Sequence, residues 1–156
     1  MTVNTANSGT ATLTQARDLD DLTTGVVTAT IAATDLSDLL DNSTPLLDAN
    51  GNNAFTITIG SGDAEVSAAD LNTLNGLTTV DIDAGNVTTI SSSTLDAINT
   101  LYTSGGFSGL GDQDITASDS GSIAASTITA NSSGTLDVSG AATITGTAEE
   151  IIAAFA

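Results

Sequence analysis

Apolar and polar positions along this chain follow two rhythms in turn. Short runs alternate with period two, as in Val27-Thr28-Ala29-Thr30-Ile31, Phe55-Thr56-Ile57-Thr58-Ile59 and Val80-Asp81-Ile82-Asp83. Alternating β-branched residues predict half-buried strands. A wider spacing then takes over: an apolar anchor, a second apolar residue five positions on and a third eight positions on. Ile31, Leu36 and Leu39 fit it, as do Val66, Leu71 and Leu74, and Ile90, Leu95 and Ile98. Ile123 with Ile128 and Ile144 with Ile152 fit in part, and Leu13 starts a degenerate early copy.

Helix-start chemistry recurs just after the anchors. Ser67-Ala-Ala-Asp70, Ser93-Thr-Leu-Asp96 and Thr147-Ala-Glu-Glu150 carry the pattern in which a hydroxyl accepts from a free backbone N–H and an acid follows three residues on; Asp35-Leu-Ser-Asp38 is a variant. The acid also sits at the positive end of the helix dipole. Each repeat therefore predicts strand, turn and short helix.

The anchors at 13, 31, 66, 90, 123 and 144 lie 18, 35, 24, 33 and 21 residues apart. Alternating short and long steps predict a two-coil unit, and Thr79-Val80-Asp81-Ile82-Asp83 overlays Thr135-Leu136-Asp137-Val138-Ser139. Turn-rich segments at 41–53 and 103–114 fill the long steps as loops on one side of the stack. The expected fold is an α/β solenoid of stacked strand-turn-short helix coils with a parallel sheet. It forms a single domain of about five or six coils over residues 1–156. An all-β right-handed parallel β-helix is the alternative. The apolar end Ile151-Ile152-Ala-Ala-Phe155-Ala156 lacks a polar cap. Solenoids need capped ends, so the expectation is a longer array or self-association through uncapped ends.

Charge narrows the partners. Asp and Glu total 19, Arg17 is the only Lys or Arg, and His is absent, for a net charge of −18. Phosphate backbones bind through Lys and Arg, so nucleic acid is excluded as a partner, and anionic membrane surfaces with it. No apolar run reaches the roughly 18 residues of a membrane span, and no Sec-type leader opens the chain, so no membrane insertion is expected. With no Cys there are no disulfides and no thiolate chemistry. Such a surface repels itself unless salt or divalent cations offset it, which fits a saline exterior.

Catalysis has little to draw on. General acid–base work favours His, and a Ser or Thr nucleophile needs a neighbouring base. Carboxylate pairs cleave sugars, but three Phe and one Tyr supply few platforms to hold one. The expectation is no enzyme. Calcium is the ligand that this composition suits, because hard cations take carboxylate and carbonyl oxygens. Asp48-Ala49-Asn50-Gly51-Asn52 places Asp48, Asn50 and Asn52 at alternate turn positions. Asp81 and Asp83 share one strand face, and Asp137 repeats Asp81 in the overlaid run. Stacked like charges favour a bridging cation. A third expectation uses the pairs Thr28/Thr30, Thr56/Thr58, Thr127/Thr129 and Thr143/Thr145, which would present a hydroxyl ladder to ice or another ordered surface.

The run from Thr23-Thr-Gly-Val-Val-Thr-Ala-Thr30 through Val66-Ser-Ala-Ala-Asp-Leu-Asn-Thr-Leu74 to Ile144-Thr-Gly-Thr-Ala-Glu-Glu-Ile151 resembles the Thr/Ala/Asp-rich repeats of very large cyanobacterial cell-surface or secreted proteins. The resemblance implies an extracellular or cell-surface location, neighbouring repeats as partners, and an adhesin-like or calcium-binding role. It supplies no catalytic residue. The glycine-rich calcium nonapeptide is not matched: Gly105-Gly106-Phe-Ser-Gly109-Leu-Gly111-Asp112 is a stretched version. The functional expectation is a non-catalytic structural or adhesion repeat, with a calcium-stabilised module as the alternative.

Overall fold

A computed structural model describes residues 10–41, 53–127 and 134–154, with the side chain of Thr127 excluded. In chain order the elements are α1 (Leu13–Asp21), β1 (Thr28–Thr30), α2 (Leu36–Leu39), β2 (Ala54–Thr56), β3 (Glu65–Val66), α3 (Ala68–Asn75), β4 (Ile82–Asp83) and β5 (Thr89–Ser93). Then come α4 (Leu95–Ser104), β6 (Phe107–Ser108), β7 (Asp114–Ala117), β8 (Gly121–Ala124), a 3-10 turn (Ala125–Thr127), β9 (Leu136–Asp137), β10 (Ala141–Thr145) and α5 (Ala148–Ala154). The protein is mixed α/β, and its named strand pairs are all parallel. Its helices set aside the all-β alternative. The described strands form no closed barrel.

The chain divides into two compact units with interleaved segments. The first holds Met1–Asp63, Thr73–Asn86 and Gly106–Gly109; the second holds Ala64–Asn72, Val87–Gly105 and Leu110–Ala156.

In the first unit the strand rhythm is realised as predicted. Thr28 and Thr30 are exposed and Ala29 is buried between them; Thr56 is exposed beside buried Phe55 and Ile57. β1 pairs with β2, with Ala29 beside Phe55 and Thr30 beside Thr56. β4 pairs with β6, with Ile82 beside Phe107. Single bridges join Thr34 to Ile59 and Thr58 to Asp83. Val27, Ile31, Leu36, Leu39, Phe55, Ile57, Ile59, Leu74, Leu77 and Ile82 make the core, in which Phe55, Ile59 and Ile82 are fully enclosed. The hydrophobic term acts through these residues. Gly109 is required: at φ +80 an added Cβ would stand 2.7 Å from the Gly85 nitrogen.

The second unit contains the widest of the described sheets, in the order β3, β5, β7, β9. Val66 lies beside Ile90, Ile90 beside Ile115 and Ile115 beside Leu136. Val66, Ile90 and Ile115 are buried. β8 pairs with β10 and sets Ile123 beside Ile144.

This register corrects the predicted step. The long intervals, from Ile31 to Val66 and from Ile90 to Ile123, are not loop insertions alone. Each contains a further step of the ladder: the alternating run Phe55–Ile59 follows β1 in register, and Ile115 follows Ile90. The segment 103–114 holds the end of α4, all of β6 and the start of β7. The reason is local. The strands at Ile59 and Ile115 lead into turns and irregular backbone, not directly into helices, so the helix-spaced anchors are missing there. The overlay of Thr79–Asp83 on Thr135–Ser139 also fails: β4 pairs with β6, while β9 joins the sheet of β3, β5 and β7.

The helix-start caps are of two kinds, and α3 and α4 carry both. Some come from within. Thr12 and Gln15 form a reciprocal box at α1. Ser67 Oγ accepts from the Asp70 N–H at 3.0 Å and donates to Asp70 Oδ2. At α5 the Thr147 N–H donates to Glu150 Oε2 at 2.7 Å, and Thr147 Oγ1 accepts from the Glu150 N–H. Other caps come from further along the chain. The first helical N–H of α2, at Leu36, donates to Asp63 Oδ2 at 2.6 Å. That of α3, at Ala68, donates to Ser93 Oγ at 2.7 Å, and that of α4, at Leu95, donates to Asp119 Oδ2 at 2.7 Å. The acceptors stand 27, 25 and 24 residues later, about one strand-to-strand step. They meet N–H groups that no bond within the helix can satisfy.

Ser93 thereby corrects an expectation. It does not cap α4; Thr94 does, accepting from the Ala97 N–H. A register shift between Ile90 and Ser93, with Ser92 at φ 50, turns the Ser93 side chain inward, where it is buried.

Amide side chains add the same kind of cross-strand tie. Asn53 Oδ1 accepts from the Val27 N–H, and Asn86, Asn72 and Gln113 donate to the carbonyls of Ile59, Ala97 and Val87. Asn53 and Gln113 are buried, and these bonds meet the demand that burial creates. Arg17, the only basic side chain of the sequence, donates to the Asp38 carbonyl near the end of α2.

Candidate functional site

The sequence directs attention to its carboxylates. Asp48, Asn50 and Asn52 lie outside the described residues. Asp81 and Asp83 flank the enclosed Ile82 and are both exposed, so alternation does place them on one face. Asp83 pairs with Ser108 on one side and bridges to Thr58 on the other. Its Oδ1 accepts from the Gly85 N–H at 3.0 Å, which closes a turn after the strand.

Asp137 stands in β9 beside Thr116, not in register with Asp81 or Asp83. It makes an equivalent turn, with its Oδ1 accepting from the Ser139 N–H at 2.7 Å. Its local likeness to the β4 run is therefore a likeness of turn chemistry. Among the described residues no group of three or more Asp or Glu side chains is gathered closely enough to hold a metal ion.

Sequence reasoning missed the roles of Asp63, Ser93, Asp119 and Asp114. The first three cap helices one step away. Asp114 Oδ1 accepts from the Thr135 N–H at 2.9 Å and from the Thr135 hydroxyl at 2.8 Å, fastening β7 to the approach of β9. The available signal was an acid or hydroxyl placed 24 to 27 residues after a helix start.

Among the described residues, the carboxyls of Asp114 and Asp137 titrate below the ordinary range. The backbone N–H of Thr135, and then its hydroxyl, hold Asp114 down. The backbone N–H of Ser139, and then its side chain, do the same for Asp137. Bonds to the charged form favour that form. A folded-state pKa below the unfolded one gives stability that is fully present above the unfolded value, about 3.9, and is lost as pH falls through the folded value. Asp114→Asn is expected to lower the urea midpoint at neutral pH and to narrow the fall in midpoint between neutral pH and about pH 3. A variant that keeps the wild-type midpoint at both pH values would remove Asp114 from the account.

The described threonine pairs meet different neighbours. Thr30 stands beside Thr56, but Thr58 meets Asp83. Thr143 and Thr145 stand beside Ser122 and Ala124. Thr127 belongs to the 3-10 turn, and Thr129 lies outside the described residues.

Chemically, Asp63, Asp83, Asp114, Asp119, Asp137 and Glu150 each accept from a backbone N–H group. No described helix is long and apolar enough to cross a membrane. No protein-family model, curated protein or solved structure matches the chain.

Proposed function

We propose that the chain is a non-catalytic structural or adhesion repeat module of a large extracellular surface protein, and that its coils stack as an α/β solenoid across residues 1–156. The observation that carries this reading is the recurring parallel register, with Val66, Ile90, Ile115 and Leu136 set side by side and helix N–H groups capped from about one step away. A chain that spends its polar side chains on its neighbouring coil is suited to extension by further coils, because each new coil satisfies the last. The absence of His, Lys and Cys from the sequence supports the non-catalytic part. The net charge of −18 and the resemblance of its Thr/Ala/Asp-rich runs support a saline, extracellular setting.

The calcium-stabilised module is the competing proposal, resting on Asp48, Asn50 and Asn52 and on the exposed pair Asp81 and Asp83. Thermal melts in EDTA, calcium and magnesium at equal ionic strength separate the two. A metal that binds only the folded chain raises the midpoint by mass action. The structural module is expected to show equal midpoints in calcium and magnesium, because both ions only screen its charge. A rise specific to calcium would replace it with the calcium-binding module.

A further inference from the structure

We propose that the bulge in β5 is a two-state register switch, in which Ser92 and Ser93 exchange the duty of capping α3 while α4 gains or loses its first residue. The device lies within the second unit, and it stands whether or not the chain is an adhesion module.

Two features of the described state call for a second one. The first is a mismatch in count. From Ile90 to Ser93 the strand β5 takes three steps, while the partners Ile115 to Ala117 on β7 take two. The bulge holds the extra residue, and among the described residues Ser92, at φ 50, is the only non-glycine with positive φ. There Cβ crowds the following carbonyl oxygen, which is why such positions favour Gly. Here the residue is an exposed Ser.

The second feature is a capping pattern that goes unused. Ser93-Thr-Leu-Asp96 carries the S-x-x-D signature of a helix start. Yet the Ser93 side chain is buried, accepts from the Ala68 N–H at the start of α3 and donates to the Ser91 carbonyl. Thr94 caps α4 from one residue further on.

A slip of one residue answers both. Regular pairing after Ile90 sets Ser92 beside Ala117 in place of Ser93. Side chains alternate along a strand, so Ser92 takes the inward position with extended backbone, and its hydroxyl replaces that of Ser93 at the Ala68 N–H. Ser93 becomes the N-cap of α4 and accepts from the Asp96 N–H, and Thr94 winds into the helix. The extra residue is thus stored either in the bulge or in the first turn of α4. Register is held firmly where a slip would drive apolar side chains out of the core. In this slip serine replaces serine at the inward position, while Ile90 and Leu95 stay buried.

The test compares the wild-type full chain with Ser92→Gly and Ser92→Thr by NMR, through amide hydrogen exchange and side-chain carbon shifts at residues 92–97. Gly removes the cost of positive φ and holds the bulge. Thr keeps the hydroxyl for Ala68, and its β-branch makes positive φ harder to adopt. The Asp96 amide is expected to exchange about fivefold or more slowly in Ser92→Thr than in Ser92→Gly, with wild type between them. The Ser93 carbon shifts are expected to move to N-cap values in the Thr variant, and the Ala68 amide to stay protected in all three chains. Equal Asp96 exchange in the two variants overturns the proposal. So does a Thr variant that loses protection at Ala68, because the hydroxyl at 92 would then have failed to take over the cap. Loss of protection at Ile115 in the Thr variant counts against it equally, since the sheet would have opened and not slipped.

Discussion

Phe55→Ala is expected to lower the unfolding free energy by about 3–5 kcal/mol, the usual result of emptying a large enclosed aromatic site. Phe55 is 0% exposed and is the bulkiest fully enclosed side chain among the described residues. The sequence has only three Phe, so most of the core is Ala, Val, Ile and Leu. Small side chains on strands held in parallel register have little freedom to collapse into the gap, which keeps the loss near the top of the range. The backbone at Phe55 is also tied down. Its N–H donates to Thr78 Oγ1 at 2.9 Å, and its carbonyl accepts from the same hydroxyl at 2.7 Å. Domains of this size hold about 5–15 kcal/mol in total, so the loss is a large fraction of the whole. Urea unfolding followed by circular dichroism measures it, with Phe55→Leu as the milder large-to-large control. A loss under about 1 kcal/mol in the Ala variant would mean that Phe55 does not anchor the first unit.

Much of the strand layout was legible in the sequence. Period-two alternation placed Thr28 and Thr30 outside with Ala29 inside, and put Asp81 and Asp83 on one exposed face around Ile82. Alternation reports a residue's own side, which is a local property. The caps at Ser67 and Thr147 were legible for the same reason, since both partners lie within one turn. Register was not legible. It depends on which strand lies alongside, and Asp137 shows the consequence: its surroundings resemble those of Asp81, yet it pairs with Thr116. Ile59 and Ile115 do not register as steps of their own in the anchor pattern, which demands a helix after each strand. The caps from Asp63 and Asp119 were invisible to any local motif, because donor and acceptor stand 27 and 24 residues apart.

Those distant caps give the second large effect, in the double variant Asp63→Ala, Asp119→Ala. Each carboxylate accepts from the first N–H of a helix at 2.6 or 2.7 Å, a short bond to a charged acceptor. Hydrogen bonds to charged groups contribute about 1.5–3 kcal/mol, and N-cap losses run to about 2 kcal/mol. Asp63 and Asp119 are only half-buried, so solvent recovers part of each bond, and the expected loss is about 1 kcal/mol per site. The sites share no residue and fall in different compact units, so the two losses add to about 2 kcal/mol. The location of the damage matters more than its size. A cap within a helix protects that helix; these caps protect the helix of the preceding step. Asp63→Ala is therefore expected to speed hydrogen exchange at the start of α2, near Leu36, and Asp119→Ala at the start of α4, near Leu95. Asn at either position retains an acceptor oxygen and is expected to restore much of the protection. Faster exchange confined to residues around 63 and 119, with α2 and α4 unchanged, would show that the carboxylates serve their own turns and that coupling between neighbouring steps comes from the strand ladder alone.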